Sequence, residues 1–211
     1  MESARPASDG TPAPNLDIAP YWNQALPLGD FLADLHAHVP REDDPYGQYI
    51  AINQQRARRV AKTLTLREEV AAALARVQPG TRWLILNEHW CGDGAQILPV
   101  LAAMAQAAEG RLEARALFRD ANLPLMDQFL TNGGRSIPLV ILLGPDGAVV
   151  GRWGPRPEAA MALVRELKSH PETAANYGEG LHKWYAENRQ ADIQTSVVAA
   201  MEAAGLIAAP R

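Results

Sequence analysis

Apolar residues in the first third of the chain recur at helical spacing. From residue 42 to 64, Tyr46, Tyr49, Ile50, Asn53, Ala57, Val60 and Leu64 fall on one stripe, which predicts a long amphipathic helix. LGDFLADLHAHV, just before it, reads as a short helix. A further helix carries Leu66, Val70, Leu74 and Val77 and stops at Pro79-Gly80. Thr65 and Glu68 have capping-box spacing at its start.

The period changes at Arg82. TRWLILN is short, apolar and bounded by turn residues, as expected of a buried strand. Residues 93–109 return to helical spacing, with Ile97, Val100, Leu101 and Met104 on one face. RLEARALF reads as a strand and LPLMDQFLTN as a short helix before Gly133-Gly134. IPLVILL and AVVGRW are strands joined by Gly144-Pro145-Asp146-Gly147, a composition that predicts an antiparallel hairpin. Pro157 can open a helix that runs to Leu167 with Met161, Val164 and Leu167 inward. A last helical region presents Leu181, Trp184, Tyr185, Val197 and Met201. The order β-α-β-α-β-β-α implies an α/β domain with one parallel crossover and an antiparallel hairpin. It is divided as a flexible segment 1–20 rich in Pro, Ala and Ser, a helical extension 21–80, the α/β domain 81–169 and a C-terminal helical segment 170–211.

Composition narrows the function classes. The 211 residues are 47% hydrophobic and 21% charged, as in soluble globular proteins, and a net charge of -4 gives no support for nucleic-acid binding. No apolar run approaches the roughly 20 residues a membrane helix needs, and residues 1–20 lack a signal-peptide core. One cysteine excludes an intramolecular disulfide and an all-cysteine metal cage, which fits a reducing cytoplasm.

That cysteine stands in WCGDGAQILP. Trp90-Cys91-Gly92 follows a strand directly, Pro99 falls in the second turn of the next helix, and Ser136-Ile137-Pro138 precedes the hairpin, with Pro138 47 residues after Cys91. This ordered set resembles the thioredoxin superfamily over roughly residues 81–169. The WCGD wording and the WGPRP segment after the hairpin are similar to a bacterial group of thioredoxin-like proteins with helical N-terminal extensions. The resemblance implies a thioredoxin-like fold with a central mixed sheet, a nucleophile position at Cys91 and a cis Ile137-Pro138 peptide. It also shows departures. Gly94 stands where the resolving cysteine would be, Ile85 where thioredoxins bury an aspartate, and Asp93 where many have proline. Nor is this the CGFS sequence of cluster-binding monothiol glutaredoxins.

Two readings of Cys91 follow. A thiol at a helix start faces free backbone N–H groups, which can lower its pKa. It could then attack a protein or small-molecule disulfide, with an external thiol such as glutathione resolving the intermediate and no bound cofactor. Alternatively the fold is a binding module that holds an extended peptide between Trp90 and Ile137-Pro138, and Cys91 is a small buried hydrophobe. Asp93 is either a helix-capping carboxylate or a proton shuttle that also opposes thiolate formation. Gly92 would leave the sulfur open, while Arg135 and Glu88 are candidates for substrate contacts, with His89 beside Glu88. Arg56, Arg58 and Arg59 form either a solvated face or, with Asn53, an anion contact over the Cys91 end. Trp153, Trp184 and Tyr185 read as core or docking residues. In the segment Asp34 to His38, His36 and His38 are two apart and diverge on a helix, and no third ligand is identifiable, so no metal site is expected.

Overall fold

A computed structural model describes residues 16–209. The flexible segment expected over 1–20 lies mostly outside this range. Its last residues are ordered, for Ile18 is buried and helix α1 spans Ala19–Gln24. The elements that follow are β1 (Leu26–Pro27), α2 (Leu28–Ala37), α3 (Gly47–Thr63), α4 (Glu68–Leu74), β2 (Thr81–Asn87) and α5 (Gly92–Ala107). Then come β3 (Leu112–Phe118), α6 (Leu123–Met126), β4 (Leu139–Leu143), β5 (Val149–Trp153), α7 (Glu158–Ser169), α8 (Pro171–Ala174), α9 (Tyr177–Asn188) and α10 (Ala191–Ala203). No helix among the described residues is long and apolar enough to cross a membrane.

The five strands form one mixed sheet in the order β1-β3-β2-β4-β5. β2 and β3 run parallel, as the crossover through α5 requires, and β4 pairs antiparallel with both β2 and β5. This is the α/β thioredoxin-like architecture expected from the sequence. The addition is β1, a two-residue edge strand antiparallel to β3, too short to carry any periodicity.

β2 is central, and its run Trp83 to Leu86 is apolar because both sheet faces are covered. Trp83 and Ile85 pack with α5 and α10 on one face; Leu84 and Leu86 pack with Trp22, Leu125 and Phe129 on the other. Strand alternation splits β4 the same way, with Val140 and Leu142 on the α5 face. Ile85, where thioredoxins bury an aspartate, is wholly within this core. α5 is itself covered on most sides, which explains its nearly continuous apolar run.

The capping box expected at Thr65–Glu68 does not form. The N-cap of α4 is Arg67, and no side chain of its own caps the helix. Instead Gln194, on α10, accepts from the Arg67 amide at 3.0 Å and donates to the Thr65 carbonyl at 3.1 Å. The cap therefore comes from the far end of the chain and ties the C-terminal segment to the N-terminal helices. The last helical region is also not continuous. Arg189 and Gln190 take left-handed φ values of 48° and 63°, which ends α9 and starts α10 in a new direction.

Candidate functional site

Cys91 is the N-cap of α5, at the C-terminal end of β2 where open α/β sheets place their sites. The Gly94 amide donates to its Sγ at 3.3 Å, and the thiol donates to the Ile137 carbonyl at 3.5 Å. The Ile137–Pro138 peptide is cis. Sγ thus bridges the helix start and the segment before the hairpin. The residue is only 6% exposed. Burial, and after it the charge of Asp93, push the thiol up to about 12, outweighing the amides of Gly94 and Asp93 and the more distant Arg156. Desolvation wins over the helix end, and Cys91 is a protonated thiol at neutral pH.

Asp93 sits in the first turn of α5, buried and fully paired. Arg156 binds it with two bonds, Nε to Oδ1 at 2.9 Å and Nη2 to Oδ2 at 2.6 Å, and the Tyr185 hydroxyl donates to Oδ1 at 2.8 Å. A carboxylate held this way acts as an anchor between α5, the loop before α7 and α9. Of the two sequence readings, the geometry matches a fixed charge at the helix start. Arg156 lies in the WGPRP segment, whose Gly154–Pro155 peptide is also cis. At Gly154, φ is +118° and a β-carbon would run into the Pro138 carbonyl oxygen, so this loop packs directly on the Ile137–Pro138 turn.

The place of a second cysteine is occupied. A β-carbon on Gly94 would lie 2.6 Å from Asn87 Cγ and closer still to its Oδ1 and Nδ2. Asn87 is buried at the end of β2; its Nδ2 donates to the Glu88 carbonyl at 2.8 Å, and its Oδ1 has no partner. Gly92 is closely covered on its own Cα side. A β-carbon there would lie 3.0 Å from His182 Nε2 and 3.4 Å from Arg56 Nη1, because α9 and α3 cover this side of the helix start. Arg56 donates to Asn53 Oδ1 at 2.9 Å, Asn53 donates to the His89 carbonyl at 3.0 Å, and Arg59 donates to Gln96 Oε1 at 3.1 Å. Gln96 in turn bonds His182 Nδ1 at 3.2 Å. Burial and then Arg56 hold His182 down at about 4. Of the arginine cluster, Arg56 and Arg59 do pack over the Cys91 end, whereas Arg58 bonds the His36 carbonyl.

A surface cleft of about 270 Å³ opens beside the sulfur. Trp90, Cys91, Gly92 and Asp93 line one side, Ser136 and Ile137 another, and Arg119, Arg135, Arg156 and Tyr177 complete the rim. Trp90 is held through its ring face: it stacks on Tyr46 with centroids 5.1 Å apart, and the Arg119 guanidinium lies over the ring, 5.1 Å from its centre. Arg135 reaches the cleft while paired at the surface with Asp127 at 2.6 and 2.8 Å.

Other sequence candidates lie elsewhere. Glu88 does not line the cleft; its carboxylate accepts from the Asp120 amide at 2.8 Å and supports the Arg119 turn, and burial raises its pKa. His89 is buried against Phe31 and Phe118 with Nε2 2.7 Å from Asp34 Oδ2, and desolvation lowers its pKa. No group of three or more His, Cys, Asp or Glu among the described residues is placed to hold a metal ion. Sequence reasoning missed Asn87, Arg156, Tyr177 and His182, and it read Tyr185 as a core or docking residue with no link to Asp93. The WGPRP segment was the available signal for Arg156.

A family model, Thioredoxin_9, described as thioredoxin, matches residues 40–168, more than half of the chain. The chain belongs to this thioredoxin family. None of the curated proteins matches it. Among solved structures, a protein of unknown function from Pseudomonas aeruginosa, PA1234, aligns with a TM-score of 0.63 at 19% identity, covering 90% of this chain and 99% of that one. An HIV epitope-scaffold aligns with a TM-score of 0.61 at 18% identity, covering 89% and 98%. These two show the shared fold, helical additions included. Within the thioredoxin family, this chain is a member with a single, buried cysteine.

Proposed function

We propose that this protein is a thioredoxin-fold binding module that holds an extended peptide in the cleft beside Trp90 and Ile137, without redox turnover. The observation that carries the reading is the state of Cys91: its thiol is buried and donates to the Ile137 carbonyl, while Asn87 fills the space of a resolving cysteine. A nucleophile must be a thiolate, and a thiol held near 12 supplies only ~1 part in 10⁴ to 10⁵ of it at neutral pH. Ile85 stands in the core where thioredoxins bury an aspartate, so that position supplies no acid to move a proton, and the buried Asp93 is already paired with Arg156 and Tyr185.

One observation favours a second reading, monothiol exchange. Sγ accepts from the Gly94 amide at the start of a 16-residue helix, and Cys91 is one of the residues lining the cleft, where a mixed disulfide would form. Glutathione or another small thiol would then be co-substrate and resolver, and Asp93 would modulate the thiol. A glutathionylated peptide incubated with glutathione and the protein separates the two. The binding reading expects release no faster than with glutathione alone. Faster release that disappears in Cys91→Ser would overturn it in favour of exchange.

A further inference from the structure

The cleft beside Cys91 has a chemical preference that neither the fold nor the cysteine requires. Three of its lining side chains are arginines from separate segments: Arg119 after β3, Arg135 before the cis turn, and Arg156 after β5. The acidic group in the lining is Asp93, and both of its oxygens are already bonded to Arg156 and Tyr185. Arg156 and Arg135 each spend Nε and Nη2 on a carboxylate, and the Nη1 of each has no protein acceptor among the described residues. The carboxylates that balance the rim arginines, Asp127 and Asp120, are 40% and 53% exposed, so these pairs contribute little and can yield to a ligand. The α5 N-terminus adds its positive end at the same place. Arg119 is different: lying over the Trp90 ring and bonded to the Arg135 carbonyl at 2.9 Å, it fixes the aromatic wall and the Arg135 backbone.

Size constrains the occupant. A cleft of about 270 Å³ falls just below the ~300–1,000 Å³ that encloses whole drug-sized ligands, so it fits one side chain or a chain end with its flanking backbone. Trp90 and Tyr46 extend an aromatic surface outward from it, and Tyr46 is about half exposed.

We propose that this cleft recognises a carboxylate of an extended peptide, with Arg135 and Arg156 as its ligands and the Trp90–Tyr46 stack receiving an adjacent apolar residue. The carboxylate comes from an acidic side chain or from the chain terminus. The proposal rests on the binding reading above and names what that site selects.

The test follows the amide resonances of Gly92 and Ile137 and the Trp90 indole N–H by NMR while three peptides are titrated into the full chain. The first is acetyl-Ala-Leu-Glu-Leu-Ala amide, the second has Gln for Glu, and the third is the Gln peptide with a free C-terminal carboxylate. The Glu peptide or the free-carboxylate peptide is expected to shift these resonances with at least fivefold tighter binding than the amidated Gln peptide. Whichever of the two binds tighter identifies the source of the carboxylate. Arg135→Gln, at an exposed position that does not hold the fold, is expected to remove that difference. Equal binding of all three peptides would overturn the carboxylate preference and leave the peptide-binding reading standing. No shift with any peptide would overturn both.

Discussion

The close approach of Asn87 to Gly94 makes a coupling that can be measured. In Gly94→Ala, the new methyl carbon falls 2.6 Å from Asn87 Cγ and nearer to its amide atoms, in a part of the core with no exposed route of escape. Asn87 must rotate away, losing the 2.8 Å bond to the Glu88 carbonyl, worth ~1 kcal/mol, and compressing its neighbours for a further ~1–3 kcal/mol. Gly94→Ala is therefore expected to cost ~2–4 kcal/mol. Asn87→Ala loses the same bond and leaves a small void, but it also removes an Oδ1 that has no partner, so its cost is nearer ~1–2 kcal/mol. In the double variant the methyl at position 94 enters the space that Asn87 vacates. Urea unfolding of the four proteins gives the cycle, with the expected coupling ~2 kcal/mol in favour of the double variant. Additive losses would refute the claim that Asn87 occupies the second-cysteine position.

Three other expectations are direct. Tyr185→Phe removes one hydrogen bond to the Asp93 carboxylate and should lower stability by ~2 kcal/mol in denaturant unfolding while leaving the Arg156 pair in place. His182, held at about 4 by burial and then by Arg56, Arg59 and Arg156 against the opposing charge of Asp93, binds a proton more weakly folded than unfolded. Stability should therefore fall as pH drops from about 6.5 to about 4 and flatten below, by ~2 kcal/mol after solvent screening, and His182→Gln should remove much of that slope in pH-dependent unfolding. Gln194→Ala should cost ~1–2 kcal/mol and speed hydrogen exchange at the Arg67 amide, because it removes one bond to the N-cap of α4 and one to the segment leading into it.

The sheet and its crossover were legible because strand and helix periods alternate cleanly between Thr81 and Trp153, and because Gly144–Gly147 has the composition of a hairpin turn. The location of the site was legible too, since Cys91 directly follows a strand and Pro138 precedes the hairpin. Its chemical state was not. Whether a thiol at a helix start ionises depends on how much apolar surface covers it, and here Leu125 and Met126, which share its buried cluster, come from a segment with no local sign of packing near residue 91. Arg156 and Tyr185 reach Asp93 from 63 and 92 residues away, and no spacing rule links them. The false capping box has a similar cause: Thr65 and Glu68 have the right spacing, yet Gln194 supplies the hydrogen bonds instead. In each case local pattern placed the backbone, and distant packing decided what the side chains do.

The central claim is that Cys91 is a buried thiol that stays protonated. Since it is the chain's single cysteine, the ¹³Cβ shift of cysteine-labelled protein reports it without ambiguity. Followed from pH 5 to 10 under native conditions, that shift should show no inflection from thiol ionisation, in line with a thiol pushed up to about 12. An inflection between pH 5 and 8 would place a thiolate in the cleft and contradict the account.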